Sequence, residues 1–171
     1  MSELTPDPQA PSRSGPSWAT AAVVAACPAG AGVRAWNLRY QVLGGDELHA
    51  VATALAKPLG WILTNYSLAD YSIPLTAGLR IWRAAGGSLT EIGMRTPGFV
   101  CGALLVPLVS VAARRALGGA VAARLAWLVA LSPVLVLYSR IVRSYAPMVL
   151  FATAAAIAAF AWIETRSRRA A

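Results

Sequence analysis

The chain has 171 residues, 57% of them hydrophobic and only 13% charged, with a mean hydropathy of +0.58. A soluble domain is about a quarter charged, so an ordinary water-soluble globule is excluded, as is disorder along the whole length. The net charge of +8 rests on 14 arginines and one lysine, Lys57. In so apolar a chain it marks membrane flanks, lipid head groups or an anionic lipid substrate, and nucleic acid is not expected as a partner.

In chain order, residues 1–17 are rich in Pro and Ser and lack a periodic apolar face; a disordered cytoplasmic tail is expected. An apolar run over about 18–35 follows, diluted by Pro28, Gly30 and Gly32. The box Val24-Ala25-Ala26-Cys27 is like a lipoprotein cleavage site. No basic region precedes it and Pro28 follows, so an uncleaved helix is expected. Further runs cover about 96–113, 120–138 and 145–163. Each is close to the ~20 residues that cross a ~30 Å hydrocarbon core, where only helices satisfy their own backbone. The expected fold is all-α: a polytopic transmembrane bundle of about four spans. Pro107 and Pro133 fall mid-span, as kinks that neighbouring helices tolerate.

Basic residues decide the orientation. The short loop after the second span holds Arg114 and Arg115, and a tail over 164–171 holds Arg166, Arg168 and Arg169. Long loops count for less, so both chain ends are expected in the cytoplasm and segment 36–95 outside. Within that outer loop, Leu48, Val51, Ala52, Leu55 and Leu59 form one helical stripe. Leu75, Leu79 and Trp82, after Pro74, form another. Two amphipathic helices at the interface are expected, with Trp61, Tyr66, Tyr71 and Trp82 at head-group depth. Ser88, Leu89, Thr90 and Glu91 form a capping box for the next helix, and Glu91 stands at ion-pair spacing from Arg95.

Asp46 and Glu47 are the candidate catalytic pair. Moving a sugar onto a hydroxyl requires a carboxylate that takes the acceptor's proton. Spacing alone favours Asp46 as a helix N-cap, with Glu47 favouring the dipole, and one residue can do both. Arg140 and Arg143 stand one helical turn apart before Tyr145, a spacing that lets two guanidinium groups grip one phosphate or simply meet lipid head groups. Arg80 and Arg83 repeat the spacing, as the polar face of an interfacial helix. His49 is expected on a polar face, and Asp70 as a loop acid. Cys27 and Cys101 are expected as small buried residues, and with one histidine they cannot build a zinc cage.

Several separated points, in order, resemble the GT-C membrane glycosyltransferases, in the branch of dolichyl-phosphate-mannose–protein mannosyltransferases. Gly45-Asp46-Glu47 is similar to the acidic pair of that family's first outer loop, and Ile73-Pro74-Leu75 with Leu79 and Trp82 to the loop's second helix. Arg95-Thr96-Pro97 resembles the lead into the second span, Arg114 to Gly119 the cytoplasmic turn, and Ser132-Pro133 with the stretch from Ser139 to Tyr145 the next outer turn. The resemblance covers about residues 36–163, the N-terminal half of the family's fold. It implies inverting transfer of a sugar from a polyprenyl-phosphate-sugar donor to an acceptor outside the membrane. Asp46 would be the general base and Glu47 its support, or both ligands of a divalent metal in members that use one. Arg140, Arg143 and Tyr145 would bind the lipid phosphate. The expected setting is the bacterial inner (plasma) membrane, with membrane lipids as partners; so short a chain is expected to be a truncated N-terminal fragment, to take its remaining helices from a second polypeptide, or to have lost catalysis. The rival expectation is a non-catalytic membrane subunit.

Overall fold

The computed structural model describes residues 17–42, 44–45, 47–65, 72–88 and 90–170. The tail over 1–16, Tyr66, Asp70, Tyr71 and Leu89 lie outside the described residues, and so does Asp46. Every regular element described is a helix: α1 Ser17–Ala35, α2 Glu47–Ala56, α3 Leu59–Thr64, α4 Ile73–Ala84, α5 Glu91–Leu117, α6 Gly119–Leu131, α7 Pro133–Arg140 and α8 Tyr145–Ala170, with a 3-10 turn at Leu38–Tyr40. The all-α membrane fold read from the sequence is the fold observed. Among the described residues, Glu91–Leu117 and Tyr145–Arg166 are long and apolar enough to cross a bilayer, and α6 with α7 makes a third if the bent pair is one span.

Helix α5 is the axis, packing against α1, α6, α7 and α8. Its hairpin with α6 turns on Gly118, whose φ of 89° suits glycine far better than any side chain. Small residues let α1, α5 and α6 approach: Ala26, Val106, Ala126 and Ala130 are fully buried together, with Cys27 half-buried beside them. Without a strong hydrophobic drive between helices in lipid, close backbone approach of this kind supplies the packing energy.

Three local features differ from the sequence expectation. First, the segment over 120–138 is interrupted rather than kinked: α6 and α7 meet at 50° around Ser132. Pro133 has no N–H to continue the ladder, and Ser132 caps the new helix through its side chain on the Leu135 N–H, 3.5 Å away. Pro107, by contrast, leaves α5 continuous. Second, Pro58 splits the first loop stripe, so Leu59 opens a separate helix, α3, and the loop has three short helices instead of two. Third, the N-cap of α5 is Thr90 and not Ser88. Thr90 Oγ1 accepts from the Gly93 N–H at 3.2 Å, and Ser88 steadies the cap with its hydroxyl 2.9 Å from that of Thr90.

The loop helices form a small core of their own. Ala50, Val51 and Ala54 of α2 meet Leu79 of α4, Met94 of α5 and Val142 from the α7–α8 turn. Arg83 Nη1 donates to the Leu55 carbonyl at 3.3 Å, placing a cation at the C-terminal end of α2.

Gly102 marks the tightest crossing between α5 and α7. A Cβ there would stand 2.4 Å from Ser139 Cβ and 3.1 Å from Arg34 Nε. Gly102→Ala is expected to destabilise by ~1–3 kcal/mol, as overpacking does. Gly78→Ala, where a Cβ meets nothing within 4 Å, should hold or raise stability. Thermal midpoints in detergent compare the two, and an unshifted Gly102→Ala would contradict the crossing.

Candidate functional site

One end of the bundle gathers the C-terminus of α1, the N-termini of α2, α5 and α8, and the end of α7. Glu47 is the meeting point, 9% exposed at the start of α2. Its carboxylate accepts from the Gly44 N–H at 3.3 Å, closing the entry turn as the acid of a capping box does. It also accepts from the Val142 N–H in the α7–α8 turn. Arg95 of α5 completes the set, with Nη2 3.5 Å from Glu47 Oε2 and Nη1 donating to the Gln41 carbonyl. Arg95 itself is wholly buried. Placed one turn after Glu91, it reaches across the fold to Glu47, a partner that local spacing does not reveal.

Each of these contacts has a local cause. Val142 is 1% exposed, and the chain there has left the helical ladder, so its N–H needs an acceptor from elsewhere. Glu47 provides it and fixes the acidic turn to the basic one. Two groups nominated from sequence, Glu47 and the stretch from Arg140 to Tyr145, are thus joined in space, while Asp46 lies outside the described residues.

The expected geometry of the arginines is not the one found. Helix α7 ends at Arg140, Ile141 is extended (φ −105°, ψ 151°), and Arg143 follows in a bend where its N–H meets the Ile141 carbonyl at 2.9 Å. Arg140 and Arg143 therefore flank an open turn and do not share one helical turn. Arg140 Nε is buried and has no hydrogen-bond partner among the described residues. Tyr145 stacks with Tyr138, ring centroids 4.5 Å apart at 48°, which ties the ends of α7 and α8. His49 is exposed, as expected of a polar-face residue.

Two features carry more weight than the sequence suggested. Arg34, at the end of α1, is fully buried. Its Nη1 donates to the carbonyls of Gly30 and Ala130, both at 2.9 Å, and Nη2 to that of Val129 at 3.1 Å. Val129 is four residues before Pro133, so its carbonyl is the one proline leaves without a helical donor. The other feature is Gly98 with Gly102. A Cβ at Gly98 would touch the Ser139 and Ile141 carbonyls at 3.4 and 3.5 Å. The spacing G-x-x-x-G is the legible signal for such a crossing.

Among the described residues, no group of three or more His, Cys, Asp or Glu forms a metal site. Both oxygens of Glu47 already face N–H donors or a guanidinium, a surrounding that does not fit a cation.

Two clefts border this end. One, of about 740 Å³ and almost wholly apolar, runs between α4 and α8 past Leu75, Trp82, Pro97, Met148 and Phe151. The other, of about 690 Å³, lies between α1 and α5.

A family model for dolichyl-phosphate-mannose-protein mannosyltransferase matches residues 46–171. The chain belongs to the dolichyl-phosphate-mannose-protein mannosyltransferase family. The match begins at Asp46 and takes in Glu47, Arg95 and the whole α7–α8 turn, so all the contacts of Glu47 except that with Gly44 fall between matched residues. Membership makes this a glycosyltransferase-type membrane protein of the mannosyltransferase kind, and polyprenyl-phosphate sugars are the donors that the family uses. No curated protein and no solved structure matches the chain.

Proposed function

We propose that this chain transfers a sugar, with inversion, from a polyprenyl-phosphate donor to a hydroxyl acceptor at the outer face of the bacterial inner membrane. The observation that carries the reading is the hydrogen bond from Val142 to Glu47, which joins the acidic turn to the arginine-bearing turn. In this reading α1 is a fourth crossing, the chain ends lie in the cytoplasm, and the Glu47 end faces out.

Asp46 acts as general base. It takes the acceptor O–H proton as that oxygen bonds to the anomeric carbon and the carbon–oxygen bond to phosphate breaks; the electron pair leaves with the lipid phosphate. Glu47, its lone pairs engaged by Gly44, Val142 and Arg95, is the positioning residue, next to Asp46 in the chain. Arg140 and Arg143 stabilise the departing phosphate, where charge develops, and Tyr145 lines their turn. The apolar cleft along Leu75 and Phe151 takes the first isoprenoid units, and Ser144, next to Arg143 in the chain, also lines it.

The test is sugar transfer from polyprenyl-phosphate mannose in membranes holding the full chain. Asp46→Asn is expected to lower kcat by ~10²–10⁴-fold, the usual range for a positioned base. Arg140→Ala and Arg143→Ala should each raise the donor KM by about tenfold or more, the equivalent of a lost charged hydrogen bond. Equal rates for wild type and Asp46→Asn would remove the mechanism.

The second reading, a subunit without transferase activity of its own, takes its support from α8. Only 6% of its apolar window is buried, and Phe151, Phe160 and Trp162 stand exposed. A partner chain packed there would supply further helices. Transfer by the purified chain alone argues against this reading.

A further inference from the structure

The cleft between α1 and α5 has a different character from the one beside α8, and the two share no lining residue. Its floor is apolar, formed by Ile92, Phe99 and Val100 of α5 and by Gly32 near the end of α1. One rim is polar and carries a single cation. There Asn37, in the left-handed region with φ 55°, turns the chain back over the cleft and delivers Arg39 to its edge. The Arg39 guanidinium lies 4.7 Å above the Tyr40 ring, a stacking that sets its plane and uses none of its N–H donors. Trp36 and Tyr40, 73% and 67% exposed, flank Asn37 and Arg39 in the chain. Exposed aromatics beside an arginine at the end of apolar helices are the side chains that settle at head-group depth.

We propose that this cleft is a binding site for an acidic phospholipid of the bilayer. An acyl chain lies along Ile92, Phe99 and Val100, and the phosphate meets Arg39 and the Asn37 side chain. The charge pattern selects this occupant. An apolar floor with one cation in its lining fits an amphiphile with a single anionic head. The volume falls within the roughly 300–1,000 Å³ of small-molecule clefts, and the lining is exposed to the surrounding lipid at Ile92 and Val100. The site is independent of the transferase reading, because neither Asp46, Glu47 nor the arginines of the α7–α8 turn lines it.

The full chain in phosphatidylcholine nanodiscs, doped with either phosphatidylglycerol or phosphatidylcholine carrying a photoactivatable acyl chain, tests the proposal. Cross-links are mapped by mass spectrometry and normalised to the label at Phe160, an exposed residue of α8. The expected result is about fivefold more label at Ile92, Phe99 and Val100 from the acidic probe, as one basic residue near an anionic head group provides. Arg39→Gln should erase that preference and leave the Phe160 label intact. Gly32→Leu should reduce labelling by both probes, since a Cβ at Gly32 points into open space and a longer side chain fills the cleft. Excess polyprenyl phosphate should fail to compete. Equal labelling by the two probes, a preference that survives Arg39→Gln, or displacement by polyprenyl phosphate would each overturn the proposal.

Discussion

Replacing Arg95 with leucine is expected to destabilise the protein by ~3–5 kcal/mol, the effect of leaving one member of a buried ion pair without its partner. Here the stranded group is Glu47, and Arg95 is fully buried beside it. Glu47→Gln strands Arg95 in turn and weakens the carboxylate's hold on the backbone N–H groups of Gly44 and Val142. The double variant is the informative one. If the two residues act as a pair, its loss is smaller than the sum of the single losses, by a coupling of about 0.5–3 kcal/mol. Thermal or denaturant midpoints in detergent give all four corners of the cycle. Additive losses would show that the two side chains are stabilised separately. Glu47→Asp, one methylene shorter, should fall between wild type and Glu47→Gln, since the charge stays and the reach to Val142 is lost.

The second large effect is expected at Arg34. Arg34→Leu removes the donors to Val129 and Ala130, leaving two carbonyls at the α6–α7 break without partners in an apolar setting. Each unsatisfied group costs about 1–3 kcal/mol, and more where lipid replaces water. Arg34→Lys should recover only part of the loss, because an ammonium lacks the planar fork that serves two carbonyls at once. A compensating change separates this account from simple loss of packing. Pro133→Ala restores the N–H that Val129 would meet in an unbroken helix, so it should rescue Arg34→Leu in part. If Pro133→Ala deepens the defect, Arg34 is not acting as the cap of α6.

Much of this fold could be read from the chain, and the reasons are local. Apolar runs of spanning length gave α5 and α8 directly, and the stripe from Leu48 to Leu55 gave α2. Prolines were legible as points of stress, yet not in their outcome. Pro107 sits in a helix that continues, whereas Pro133 interrupts one because Ser132 caps the new segment and Arg34 takes up the freed carbonyls. That second condition lies almost a hundred residues away, beyond any local pattern. The site divides in the same way. Glu47 and the stretch from Arg140 to Tyr145 were visible as charges, but their junction depends on a backbone N–H at Val142, whose side chain is merely apolar. Arg95 was visible only as a neighbour of Glu91. Gly98 and Gly102 carry a sequence signal, the four-residue glycine spacing, but it names a close helix crossing without naming the partner helix.

The break between α6 and α7 also bears on biogenesis. Arg34 is synthesised 95 and 96 residues ahead of the two carbonyls that it finally serves. At ordinary elongation rates of ~5–20 residues per second, that interval lasts about 5–20 s. Throughout it the guanidinium has no acceptor from α6 and must remain hydrated or at the edge of the insertion channel. If α1 crosses the bilayer, as the proposed topology has it, nascent α1 is expected to stay at a shallow depth until α6 emerges, so that docking of α6, rather than first insertion, commits the arginine to the interior.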